Sequence, residues 1–500
     1  MVLATARGDD KLLPWDSPTH RYLLPMKLLP LLLLAVLPTA LLAQAPEGVK
    51  SATQSWINAN QSDLTALSDS IWSFAETAFE ETRSAEALIA YAEANGLRVK
   101  RGVAELETAF TAEYGSGRPI IGILGEFDAL PGLSQHPVAE KNPVQEGAPG
   151  HGCGHNLFGV ASLAAAISLK EQIEAGTLSG TVRFYGTPAE EKYFGKVFMA
   201  RAGVFDDLDA CLDWHPSAKT EAAVQSNLSL VDFIVEYRGQ AAHAAADPWN
   251  GRSALDAIEL MGVGINYQRE HLRPTTRIHY QIMDGGAVVN VVPDYARAWV
   301  RVRDPKRDEM ERVYARVQEI ARAAGTMADV ETELSLVSGI YELLPNRAGG
   351  AAMQANLERL GNISYTATEE DFAKAIQRAT GKDEVGLNME IKPLRETAEL
   401  GSGGSTDVGD VSWIVPVVRL AVTTAPEGTP WHSWAVVACG GMSIGHKGML
   451  YAAKALALTG ADLMADEKLL QDVKAEFKER KGDAVYEALI PEGPPRITGN

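Results

Sequence analysis

Pro119-Ile120-Ile121-Gly122-Ile123-Leu124-Gly125 runs directly into Glu126-Phe127-Asp128-Ala129-Leu130-Pro131, a short apolar run that stops at a loop loaded with chemistry. The arrangement recurs twice. Thr181-Val182-Arg183-Phe184-Tyr185-Gly186 leads into Thr187-Pro188-Ala189-Glu190-Glu191, and Leu208-Asp209-Ala210-Cys211-Leu212 leads into Asp213-Trp214-His215-Pro216. A helix-like run, Leu157 to Glu174, separates the first two. Strands alternating with helices predict an α/β fold with a mainly parallel sheet flanked by helices. Loops beyond the carboxyl ends of such strands are where open α/β sheets place their sites.

Outward from this region, Ser51 to Tyr91 reads as helices, with Ile57, Leu64, Leu67, Ile71 and Phe74 at helical spacing. From residue 226 to 340 the pattern changes. Leu228–Tyr237, Thr276–Met283, Tyr295–Val302 and Val330–Val337 read as strands, and Ser253–Gln268 and Asp308–Ala324 as helices. The order strand-helix-strand-strand-helix-strand is the split, ferredoxin-like α+β unit, here read as a domain inserted into the first. The catalytic domain then comprises residues 46–225 and 341–490. Its second part carries a strand, Val415–Val422, and an amphipathic helix, Leu469–Lys481.

With 500 residues, at least two domains are expected. A formal charge of −19 with no basic stripe to offset it excludes nucleic acid and anionic membranes as natural partners. Three cysteines, Cys153, Cys211 and Cys439, are too few and too odd in number for a disulfide framework. Near the start, Met26-Lys27, the apolar run Leu28–Leu37 and the small residues of Thr39–Ala45 describe a secretory signal, with cleavage after Ala43 or Ala45 and Met26 as initiator. Residues 1–45 are therefore read as leader and signal, and the mature protein as soluble and exported, periplasmic or secreted.

Gly150-His151-Gly152-Cys153-Gly154-His155-Asn156 puts a thiol and an imidazole two positions apart on a loop entering a helix. Cys153, His155, Glu191 and His215 are the donors a catalytic divalent site uses. A fifth is expected from the C-terminal part. His432, in Thr429-Pro430-Trp431-His432-Ser433, is preferred to His446, which opens a helix-like segment where a polar capping role serves it better. Two close ions acidify a water, as amide hydrolysis requires. Adjacent side chains of an extended segment point opposite ways, so Glu190 is free to act as general base beside the ligand Glu191. Asp128 is placed to orient a ligating imidazole, although a turn-forming role fits its local sequence nearly as well. A Cys153 nucleophile with His155 as base would leave the other donors without purpose. His243, in the first loop of the inserted domain, has small neighbours that would admit close approach of substrate; a lone surface histidine is the plainer reading. Asn290 and Arg303 share that ambiguity.

The segments His151–Asn156, Pro188–Glu191, Gly195-Lys196-Val197 with Met199, Trp214–Pro216, Gly403–Ser412 and Gly428–Trp434 resemble the dinuclear metal amidohydrolases of the aminoacylase and carboxypeptidase G superfamily. Within it they are most similar to the branch formed by the B subunits of p-aminobenzoyl-glutamate hydrolase. The resemblance implies two divalent ions (zinc or manganese, cobalt as a further option) on Cys153, His155, Glu191, His215 and His432, with Glu190 as base. It implies a homodimer through the inserted lid domain, with His243 and Asn290 polarising the scissile carbonyl in their own or the partner's site. Arg303, or Arg301 on the same strand face, would hold a substrate carboxylate. Asp407 matches an acidic position to which no role attaches. Many relatives carry histidine where Glu126 stands. The substrate class implied is a small amide joining an aroyl or acyl group to an amino acid such as glutamate. An N-acyl-amino-acid or dipeptide hydrolase is the alternative with the same chemistry, and a non-catalytic, metal-stabilised ligand-binding dimer the alternative from another class.

Overall fold

The computed structural model describes residues 44–396 and 403–495. Of the secretory segment, only Gln44 and Ala45 fall inside the described residues; the rest lies outside them. Eleven strands are present among the described residues: β1 Arg98–Arg101, β2 Phe110–Ser116, β3 Ile120–Glu126, β4 Gly180–Thr187, β5 Ala210–Ser217, β6 Glu221–Ala222, β7 Ser229–Arg238, β8 Arg277–Asp284, β9 Tyr295–Asp304, β10 Glu331–Ile340 and β11 Val417–Thr423. They form a seven-stranded sheet, ordered β1-β2-β4-β3-β5-β11-β6, and a four-stranded sheet, ordered β10-β7-β9-β8.

The centre of the large sheet, β4-β3-β5-β11, is parallel. Its edges differ from the sequence expectation: β1, β2 and β6 run antiparallel, so the sheet is mixed. β1 escapes a sequence reading because its residues, Arg-Val-Lys-Arg, are mostly exposed and carry no apolar signal. All four parallel strands end on one side, where Glu126, Glu190 and His215 follow.

The helix His155–Glu174 lies along this sheet and is buried on nearly every face. That burial explains why its sequence shows no polar stripe. Gly159 permits the fit, since a β-carbon there would come within 2.8 Å of the Glu126 carbonyl oxygen. The helix thereby sets His155, its first residue, against the end of β3. The helix Ser443–Ala465 packs beside it, and Lys50 anchors the N-terminal helix Glu47–Ala59 to that second helix and to the helix Arg347–Leu360. The Lys50 ammonium is buried and donates to Asp462 Oδ2 and Asn356 Oδ1, both at 2.9 Å, while the Ala45 amide donates to Asp462 Oδ1 at 2.7 Å.

The four-stranded sheet carries helices Ala254–Arg269 and Arg307–Ala328 on one face. In β9 burial alternates strictly: Ala296, Ala298, Val300 and Val302 face these helices, while Arg297, Trp299, Arg301 and Arg303 project from the opposite face. The two connections to the larger domain are tied to each other. The Leu343 amide donates to Asn227 Oδ1 at 2.6 Å, and Ser226 Oγ donates to the Leu343 carbonyl at 2.7 Å.

Asp462→Ala should strand the Lys50 charge in the interior and cost about 3–5 kcal/mol. Urea unfolding followed by circular dichroism reads this directly; an unchanged midpoint would refute the anchoring role.

Candidate active site

Asp128 follows β3 and serves two segments at once. Its Oδ1 accepts from His155 Nδ1 at 2.9 Å, and its Oδ2 accepts from the Glu191 amide at 2.9 Å. The imidazole of His155 is thereby held with Nε2 as its free donor atom. His215 is oriented in the same way, because Nδ1 donates to the Pro216 carbonyl at 2.7 Å and leaves Nε2 facing Cys153 Sγ at 3.4 Å. His432 Nε2 lies 3.5 Å from Glu191 Oε2. The backbone of His432 is left-handed, φ 57°, while its amide donates to the Gly152 carbonyl at 3.0 Å, which docks the C-terminal loop on the Cys153 loop.

Three groups of donor atoms result, each with its atoms within 4.8 Å of one another: Cys153, His155 and His215; Cys153, Glu191 and His432; and Glu126, His155 and Glu190. Glu126 Oε2, His155 Nε2 and Glu191 Oε1 are buried without a hydrogen-bond partner among the described residues. Buried polar atoms are rarely left so. Burial and carboxylate crowding push Glu190 well above the usual range and Glu191 up to about 7, and burial lowers His215 to about 4. Orphaned donors and crowded negative charge of this kind fit divalent cations.

Glu190 and Glu191 sit on a turn rather than in an extended segment, contrary to the sequence reasoning. The left-handed Ala189, φ 60°, redirects the chain, and its amide donates to the buried Glu81 Oε1 at 2.9 Å. Both glutamates line one cavity of about 590 Å³, with Cys153, His215, Arg303 and His432. Arg301 reaches the same cavity but is engaged by Asp232 through Nε at 2.7 Å and Nη2 at 2.6 Å. Arg303 has no such acceptor, and its Nε is buried without a partner among the described residues. Of the two arginines it is the one available to a ligand.

His446 is remote from these groups; it is the fourth residue of its helix, and Nε2 pairs with Asp69 Oδ1 at 2.8 Å. His243 and Asn290 do not line the cavity. They lie together on the exposed surface of the inserted domain, where the Ala244 amide donates to the Asn290 carbonyl at 3.0 Å. His243 Nδ1 accepts from the amides of Ala245 and Ala246 at 3.2 and 3.1 Å, so the imidazole presents Nε2–H outward. Sequence reasoning assigns nothing to Lys196 or Glu81. Both are fully buried ionisable residues, a property visible only in the fold.

Residues 226–326 match the M20 peptidase dimerisation domain. The chain is 40% identical over 462 residues to the B subunit of p-aminobenzoyl-glutamate hydrolase from Escherichia coli, covering 87% of this chain and 96% of that protein. It is 32% identical over 432 residues to the Xaa-Arg dipeptidase of Mus musculus, covering 83% and 89%. Among solved structures, a dinuclear metal-binding peptidase of the M20 family from Bacillus subtilis superposes with a TM-score of 0.56 at 18% identity, covering 82% of this chain and 99% of the other. With this ancestry and these donors, the chain belongs to the M20 family and is a metal-dependent amidohydrolase.

Proposed function

We propose that the protein cleaves the amide between an aroyl or acyl group and an acidic amino acid, a p-aminobenzoyl-glutamate-like substrate. Two divalent ions, zinc or manganese, would be held by Cys153, His155, Glu191, His215 and His432. Such ions supply a Lewis acid for the carbonyl and make water more acidic. The rest falls to the chain. Glu190, buried beside the donors, takes the proton from the attacking water and returns it to the leaving nitrogen. Its proton affinity is raised by burial and by the nearby Glu126 and Glu191, which helps it hold the proton between the two steps. Arg303 binds the carboxylate of the departing amino acid.

The observation that carries this reading is the make-up of one cavity: the donors Cys153, Glu191, His215 and His432 and the carboxyl of Glu190 share it with Arg303, whose Nε has no partner among the described residues. The similarity to an Xaa-Arg dipeptidase offers a second reading, cleavage of dipeptides. In that cavity Arg301 is paired with Asp232 and Arg419 with Asp213, whereas Arg303 Nε has no partner among the described residues, which favours an acidic substrate group.

We also take the protein to be an exported homodimer. β8 is an edge strand, and beside it Trp249, Val288 and Val289 stand exposed, an apolar surface suited to a partner. His243 and Asn290 lie in this region and would act in the partner's cavity. Ala45 is buried and bonded to Asp462, so cleavage after Ala43 preserves a contact that cleavage after Ala45 would destroy.

Glu190→Gln should retain both ions and lose roughly 10²–10⁴-fold in kcat on p-aminobenzoyl-glutamate; a variant with normal turnover would end the assignment of the base. Arg303→Ala should raise KM by roughly tenfold or more, the worth of a charge-assisted hydrogen bond, with kcat less affected; steady-state kinetics separates the two. Native mass spectrometry of the exported protein should find two copies per particle, each chain beginning at Gln44. A monomer, or a chain beginning at Met26 or Pro46, contradicts the respective part.

A further inference from the structure

Glu126 closes the third group of donors, yet the five ligands named above leave it out. It is 1% exposed and ends β3, directly above the helix that begins at His155. Its Oε1 accepts from Lys196 Nζ at 2.6 Å. Lys196 has no exposed surface and is itself fixed twice by Asp407: Nζ donates to Oδ1 at 2.7 Å and the backbone amide to Oδ2 at 2.9 Å. Every oxygen of this trio thus has a partner but one. Glu126 Oε2 has only His155 Nε2 beside it, at 3.0 Å; a ring that donates from Nδ1 to Asp128 turns a lone pair, not a hydrogen, toward that oxygen, so neither atom satisfies the other.

A purely structural ion network would satisfy that last oxygen, since an orphaned carboxylate oxygen in the interior costs about 1–3 kcal/mol. Here two lone-pair atoms, a carboxylate oxygen and an imidazole nitrogen, lie together beside Glu190 with no partner that satisfies either. His155 Nε2 is already committed to the metal side by the Asp128 contact at Nδ1. An atom adjacent to it and equally unpartnered shares that direction.

We infer that Glu126 is a further donor of the metal centre through Oε2, and that Lys196 and Asp407 are its positioning residues. The inference rests on the two-ion reading above and adds an oxygen to its five donors. It also accounts for Asp407, whose carboxylate locks the lysine that locks Glu126. Two carboxylates, Glu126 and Asp407, share the single ammonium of Lys196.

The test uses manganese(II) alone, titrated into chelator-stripped full-length protein, with free ion followed by electron paramagnetic resonance. Wild type should bind two ions per chain. Glu126→Gln keeps the shape, but its single carbonyl oxygen is claimed by Lys196, leaving an NH₂ group toward the ions. One of the two ions should then bind about 10–100-fold more weakly, the other within about twofold. Lys196→Met should weaken the same ion, and Lys196→Arg should restore part of the loss. Should Lys196→Met fail to fold, Glu126→Gln still decides. Two ions of unchanged affinity in Glu126→Gln, even with a lower melting temperature of the metal-free protein, overturn the inference and leave the two-ion reading intact. A wild-type chain that binds one ion or none overturns both.

Discussion

The Asp128 carboxylate has two oxygens, and the site depends on both being used. One fixes the ring of His155; the other holds the backbone of Glu191. These residues come from different loops, after different strands, and the carboxylate between them is 1% exposed. Burial makes the arrangement rigid, because no water can replace either partner. It also makes the surroundings hostile to further negative charge. The crowding of Glu126, Glu190 and Glu191 around that point favours protonation or a compensating cation, which is how a folded scaffold can store affinity for metal before any metal arrives.

The scaffold achieves this with ordinary means. Parallel strands buried on both faces bring chain ends to one edge, and a helix apolar on every side lies across them. Two of the left-handed non-glycine residues, Ala189 and His432, sit next to the chemistry, and the backbone amide of each is hydrogen-bonded to a different part of the chain.

Much of this is legible in the residues. Apolar runs stopping at polar loops announce the parallel core, and the alternation of β9 announces a half-covered sheet whose outer face carries arginines. The Cys153 to His155 spacing and the Glu190–Glu191 pair announce the donor atoms that the fold gathers into candidate metal-holding groups. Other features are not legible, for identifiable reasons. β1 has no apolar face to betray it. The direction of Glu191 depends on a positive φ at Ala189, which an alanine does not advertise. Arg301 and Arg303 are equivalent in sequence and are told apart only by Asp232, on the neighbouring strand. Lys196 is 70 residues from Glu126 and 211 from Asp407, so no local pattern connects them.

Arg303 stands on the inserted domain, whereas Cys153, His215 and Glu190 stand on the other. The span from Glu190 to Arg303 is therefore not set within either domain but by the two cross-linked connections at Ser226, Asn227 and Leu343. Those connections act as the gauge of the molecule. A change in their pitch would alter how long an amide can be while touching both ends, and leave the bond-breaking apparatus itself untouched.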